Sequence, residues 1–265
     1  FITIAGQTAP GGGRCLKNGS NKSTTLRVGT SDVIIRGIRV HPGPGGEPDG
    51  IYLSGNASHV VIDHCSFSWA VDEVVAATRG ASDITIQWCI ISEGLWYSTH
   101  HKGPHSRGIL IAGESTTNIS LHHNLFANHR RRSPVICGNG VHDYTNNVMY
   151  NWGQYCGDFW EQARFNYERN YGKEGRNRES QDGLRYLLNA RNETGEGPKY
   201  YVKGNIGPTR KRPSEPEANV VSPNDRADIV DERFDTPKIT YMNAFDAYDK
   251  VLRLAGAIVP QRDAV

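Results

Sequence analysis

Short runs of β-branched and aliphatic residues recur along this chain, and a repeated residue type ends several of them. Aligning the runs at 33–38, 60–65, 84–89, 119–124, 143–147, 167–170 and 202–205 places Ile38, Cys65, Cys89, Asn124, Asn147, Asn170 and Asn205 in one column. The intervals are 27, 24, 35, 23, 23 and 35 residues. A period in the low twenties, lengthened at some turns by insertions, is the mark of a solenoid. The expected fold is therefore all-β: a right-handed, single-stranded parallel β-helix with long loops on one face and a short C-terminal helix. Equivalent residues of successive coils then stack ~4.8 Å apart. The asparagines can bond side chain to side chain up that stack, although Asn also marks turns for its own local reasons. Cys65 and Cys89, adjacent in the column, can stack as thiols or pair as a disulfide; thiols are the expectation.

Extra residues in a solenoid map to loops on one face, often the binding face. One insertion lies between Cys89 and Asn124 and carries Trp96-Tyr97-Ser98-Thr99-His100-His101-Lys102. A second runs from Arg176 to Lys199 and is polar and charged. Beyond Asn205 the chain becomes rich in proline and charge, then ends in apolar residues at helical spacing from Ala244 to Ala255 with Gly256 as a stop. This divides the chain into a β-helix over 1–207 and an arm with a helix, 208–265, laid on it. The start, Phe1-Ile2-Thr3-Ile4, is already strand-like, so a signal peptide and first strands are expected upstream.

A formal net charge of +2 over 265 residues gives no global reason to bind nucleic acid. No apolar run reaches the ~18 residues of a membrane span. The five cysteines contain no C-x-x-C pair, and the ten histidines lie in several segments without ligand spacing, so a transition-metal site is not expected. Any basic site must be local, and the run Arg130-Arg131-Arg132 before Ser133-Pro134 is the candidate. Three adjacent like charges repel, so they are either solvated or given anionic partners. On neighbouring coils Asp49 and Asp72-Glu73 open strand-like runs, and Lys102 sits in the first insertion. If each coil adds one strand to a common sheet, these residues line one groove. Its carboxylates would make a hard oxygen site suited to Ca²⁺, with cations alongside for an anionic substrate.

These same stretches carry a family resemblance. Residues 61–68, Val-Ile-Asp-His-Cys-Ser-Phe-Ser, resemble the WIDHCTFS signature of the pectate lyases of polysaccharide lyase family 1. His101-Lys102 with Leu110-Ile111-Ala112-Gly113 resembles that family's HDK…LIG segment. His123-Asn124-Leu125-Phe126 through Arg132-Ser133-Pro134 resembles HNYF…RxPR. Residues 5–11 and 69–73 add to the likeness, which runs from about residue 1 to 153.

The resemblance implies a secreted or periplasmic monomer that cleaves polygalacturonate or pectate by Ca²⁺-assisted β-elimination. Arg132 would abstract the C5 proton, leaving 4,5-unsaturated ends. Lys102 would offset the uronate carboxylate, and Arg130, Arg131, His101 and Trp96 would hold the acidic polysaccharide. Asp49 and Asp72 fall at calcium positions, whereas Asp63 and His64 are structural. The third calcium carboxylate of the family falls at Ala76, leaving Glu73 as the nearby substitute. Further motif arginines fall at Val135 and Cys137. A free guanidinium is protonated at ordinary pH, so a base role calls for a cationic, calcium-adjacent setting and alkaline pH. The rivals are a module that binds acidic polysaccharide without cleaving it, a lyase for another uronan, and a hydrolase. The hydrolase lacks its expected Asp-Asp pair and Gly-His-Gly.

Overall fold

A computed structural model describes residues 1–18, 23–176, 185–191 and 197–259. The second expected insertion, 176–199, lies largely outside the described residues. Among the described residues the strands form three sheets in which neighbouring coils pair in parallel, each strand against its equivalent one coil away. The first sheet has nine strands, running from Ile2–Ala5 through Thr117–His122 to Lys199–Lys203 and Ile229–Val230. The second has seven, from Arg14–Leu16 to Tyr171–Lys173, and the third seven, from Leu26–Val28 to Leu188–Arg191.

Parallel stacking aligns like with like inside the coil. One column of the first sheet reads Ile35, Ile62, Ile86, Leu121, Tyr144, Tyr167 and Val202, all buried. The Tyr144 and Tyr167 rings lie 5.0 Å apart and nearly parallel at 9°. Burial of such columns at about 25 cal/mol per Å² of apolar surface is the main force holding the coils.

The corner between the first and second sheets carries the repeated column. Gly37, His64, Trp88, His123, Asn146, Arg169 and Gly204 all have φ between 50° and 70°. This left-handed bend turns the chain sharply just before each column position. The amide of the next residue is left buried and needs an acceptor. Asn147 Oδ1 accepts from both the backbone N and Nδ2 of Asn124, each at 3.0 Å. Asn170 does the same for Asn147 (2.8 and 3.3 Å) and Asn205 for Asn170 (2.9 and 2.9 Å). The ladder continues upward as Cys89 N donating to Asn124 Oδ1 at 2.9 Å and Cys65 N to Cys89 Sγ at 3.4 Å. Both cysteines are free buried thiols, as expected.

The segment after residue 207 lies against the coil and also adds to it. Ile229–Val230 pairs in parallel with Tyr200 and Tyr201. Arg233 donates to Asp143 Oδ2 (2.5 Å) and Glu168 Oε2 (2.7 Å), pinning the arm across two coils. The helix Ala244–Leu254 is capped by Asn243, whose side chain accepts from the amides of Phe245 and Asp246. It buries Ala255 and Val251 against Ile90, Leu125, Ala127 and Val148 of the second sheet.

Candidate active site

The first insertion leaves Ile90–Ser92 of the second sheet and returns to Arg107–Ala112 of the third, so it rises at the corner between them. The expected site residues stand along that corner, where third-sheet strands begin. Glu73 and Arg107 open neighbouring strands and are direct partners in register. Arg107 is bridged in turn to Arg131. Asp49 stands one coil before Glu73 and accepts its amide on Oδ1 at 3.2 Å. Coil stacking thus makes one row from residues scattered over more than eighty positions.

Carboxylate oxygens of Asp49, Asp72 and Glu73 lie within 4.8 Å of one another. Their electrostatics diverge. Burial, and then the charge of Asp72, pushes Asp49 up to about 7. Asp72 is partly buried too, but the hydrogen bond from His105 and the nearby His105 and His100 hold it down to about 2. Glu73, 5% exposed, forms an ion pair from Oε1 to Arg132 Nη1. Burial pushes its carboxyl upward against the pull of Arg132, and Asp72 and Asp49 add to the rise. Three crowded hard-oxygen donors that repel one another suit Ca²⁺. If Ca²⁺ binds there, Asp49, Asp72 and Glu73 are its protein ligands.

The three arginine side chains take different partners, and the left-handed backbone at Arg132 breaks any strand-like alternation. Arg132 reaches back to Glu73. Arg131 pairs with Asp158 at 3.0 Å and covers the Tyr155 ring at 4.7 Å. Arg130 covers Trp96 at 4.8 Å. Arg132 has φ 69°, a costly conformation for a side chain of its size, of the kind found where a site imposes it. Its carbonyl accepts from the Ile109 amide at 2.8 Å. A Cβ at Gly108 would fall 2.3 Å from that carbonyl oxygen, so only glycine lets the two coils meet here.

The first insertion folds back over the preceding coils. Glu47 accepts from the His101 amide (2.7 Å) and meets its Nδ1 (2.8 Å), while Thr99 Oγ1 donates to the Gly46 carbonyl. His101 therefore anchors the loop to the preceding coil. Lys102 is exposed at the tip, its amide donating to His100 Nδ1 at 3.1 Å. Trp96 lines a cavity of about 350 Å³ with Gly94, Ser106, Asn128, Arg130 and Gly153.

Two features of the site were not expected from the sequence. His100 and His105 stack at 3.7 Å and both face Asp72, with Nε2 to Oδ1 distances of 3.7 and 2.8 Å. Because His100 Nδ1 accepts from Lys102, its proton sits on Nε2 when neutral, so this ring serves as a donor toward carboxylates. The second feature is Arg107, 9% exposed, with buried Nε and Nη1 that have no hydrogen-bond partner among the described residues. Burial, with Arg132 and Arg130 beside it, lowers it to about 10. The signal available was slight: one arginine opening a strand after Ser106.

The whole described coil superposes on solved structures of one kind. A pectate lyase from Bacillus sp. N165, solved in complex with trigalacturonate, matches with a TM-score of 0.63, covering 96% of this chain and 82% of that one at 18% identity. This is the pectate lyase fold. In sequence, a probable pectate lyase C from Emericella nidulans is 39% identical over 155 residues, 57% of this chain and 33% of the relative. Pectate lyase B from Dickeya chrysanthemi is 31% identical over 128 residues, 45% of this chain and 34% of the relative. The chain spans about a third of the length of these curated relatives. No family model matches it. No helix among the described residues is long and apolar enough to cross a membrane.

Proposed function

We propose that the chain is a polysaccharide lyase that cleaves polygalacturonate or pectate by β-elimination, outside the cell and as a monomer. The observation that carries the reading is the contact of Arg132 with the Asp49–Asp72–Glu73 cluster, on a fold shared with pectate lyases. Carboxylates and arginines side by side at one corner suit a polyanion that is itself bridged by a cation.

The C5 proton of a galacturonate is α to its carboxylate and weakly acidic until that charge is offset. Ca²⁺ held by Asp49, Asp72 and Glu73 would supply part of that offset. Arg132 in its neutral form takes the C5 proton, and the C5–H electrons become the C4=C5 double bond. The C4–O bond breaks, its oxygen leaves with the electron pair and takes a proton from solvent, the C5 proton returns from Arg132 to solvent, and no net water is added. Lys102 faces the polymer from the loop tip. Arg130, Arg131, His101 and Trp96 line its path. The carboxylate pair with a water between them that inverting hydrolysis uses has no counterpart in this scheme.

The test is release of ultraviolet-absorbing unsaturated uronates from polygalacturonate, pectin and other uronans at alkaline pH, with Ca²⁺ or chelator. Arg132→Lys and Arg132→Ala are compared with Arg131→Ala. A base role predicts a fall in kcat of about 10³-fold or more for both Arg132 variants. Near-normal turnover in both removes Arg132 from the chemistry. Binding of the polymer with no unsaturated product from any uronan favours the non-catalytic module.

A further inference from the structure

We propose that the cavity where the C-terminal helix meets the far coils is a second binding site for the acidic polymer, gripping the chain beyond the groove where it is cut. The inference rests on the lyase reading above and concerns how much of the polymer the protein holds.

The cavity has a volume of about 410 Å³ and is lined by Tyr171, Lys173, Glu174, Arg185, Lys211 and Phe245. Its charges do not balance. Glu174 Oε1 accepts from Arg185 Nε at 3.2 Å, which leaves the ammonium groups of Lys173 and Lys211 in surplus. Lys173 Nζ donates to the Tyr248 hydroxyl at 3.3 Å, a neutral partner that positions the ammonium without cancelling it. Like charges gathered round a concave surface attract an anion. The rest of the lining is aromatic. Tyr171 packs against Phe245 (5.8 Å) and Tyr248 (4.5 Å), and Phe245 keeps 45% of its surface exposed. A uronate ring has a carbon–hydrogen face and a charged rim, and aromatic rings beside ammonium groups suit both. An inorganic anion would use the cations alone.

The place of the cavity in the coil points to the polymer as its occupant. In the second sheet Ala127, Tyr150 and Lys173 are partners in register on three successive coils. Ala127 leads to Arg130, Tyr150 to Gly153 and Lys173 to Glu174. Arg130 and Gly153 line the Trp96 cavity, so the second cavity begins one coil farther along the same corner. With coils ~4.8 Å apart, Lys173 stands ~10 Å beyond the coil of Arg130 along the axis. A polymer lying along the row from Asp49 to Arg131 reaches it by keeping its direction. The C-terminal helix then does more than cover the second sheet, because Phe245 makes one wall of the site. A contact so far from the bond that breaks adds to binding of a long chain and leaves the chemical step alone.

The experiment uses the full chain carrying Arg132→Ala, so that bound oligomer is not turned over. It is compared with the same chain also carrying Lys173→Gln and Lys211→Glu. Calorimetry at low salt measures trigalacturonate and a galacturonate decamer, and thermal melting is followed in parallel. The expected result is a loss of decamer affinity of about 10-fold or more, with trigalacturonate affinity changed less than about twofold and the melting temperature held. The loss should shrink as salt is added. Equal losses for both oligomers, or no loss for the decamer, overturn the proposal. If the melting temperature falls because the helix loosens at Tyr248, Lys211→Glu alone decides. It should cost the decamer about threefold and the trimer nothing, and equal effects on the two overturn the proposal. Because binding is read without turnover, a failed lyase reading would show separately, as absence of unsaturated product from the chain with Arg132 intact.

Discussion

Two corners of the same coil solve opposite problems with the same stacking rule. At the ladder corner, Asn124, Asn147, Asn170 and Asn205 are fully buried, uncharged and each bonded to the next in the series. At the groove corner the stacked residues are Asp49, Glu73, Arg107 and Arg131, unlike most of the brace in being charged, and Arg107 Nε and Nη1 have no hydrogen-bond partner among the described residues. Identical neighbours satisfy one another and make a brace. Unlike neighbours leave a surplus of field and donors, and that surplus is what a ligand can use. The first insertion rises at the second of these corners, away from the brace.

Acid should separate the two corners most strongly. Burial lowers His122 to about 4, and burial with His122 beside it lowers His123 to about 3, both next to the ladder. Burial also lowers His129 to about 4 and His142 to about 3. In the unfolded chain these groups bind protons near pH 6.5. Between pH 6.5 and about 3 the unfolded state therefore holds more protons, and stability is lost as pH falls. Each contributes roughly 3–5 kcal/mol at full protonation. Urea midpoints followed from pH 7 to pH 4 should drop steeply, and His142→Gln should flatten the slope. A flat profile would mean that these rings are not held neutral.

Breaking the brace itself comes next. Asn147→Ala removes the acceptor of the buried Asn124 amide and the side-chain donor to the Leu121 carbonyl, and leaves Asn124 Nδ2 with the Ile86 carbonyl alone. The expected cost is about 2–4 kcal/mol in urea unfolding, with turnover per folded molecule retained. A loss of activity without a loss of stability would link the two corners in a way their separation does not allow.

The smallest effect sharpens the groove side. Asp49 sits at about 7, so Ca²⁺ must displace a proton from it at lower pH. Millimolar Ca²⁺ should raise the melting temperature by a few degrees, about 1–2 kcal/mol, with more gain at pH 8 than at pH 6. Asp49→Asn should reduce the pH dependence of that gain, the part left coming from Glu73, whose carboxyl is also raised. An equal gain at both pH values places the ion elsewhere.

The brace was legible in the sequence because a repeat is local information: the same residue returns at nearly the same interval, and one alignment exposes it. Arg132 was legible for a similar reason, standing in a conspicuous run before a proline. Arg107 was not. Its meaning depends on register with Glu73, and the long insertion between them hides that register from any count of residues. The fold-back of His100 and His105 onto Asp72 was hidden likewise, because a loop's return path is set by anchors such as Glu47 and Gly46 on another coil. The histidines, scattered in the sequence, gave no spacing to read.

The asparagine ladder also points one way in time. Each corner amide is satisfied by the coil that follows it: Asn124 by Asn147, Asn147 by Asn170, and Asn170 by Asn205. A chain made from its N-terminus presents every new corner with an open donor until the next rung has been synthesised. Closure must then trail synthesis by one coil, each coil acting as the chaperone of its predecessor. The last rung ends the series differently, with Arg210 Nη1 donating to the Asn205 carbonyl where earlier coils use a backbone amide of the next coil. Growth stops where a charged side chain takes over from the repeat.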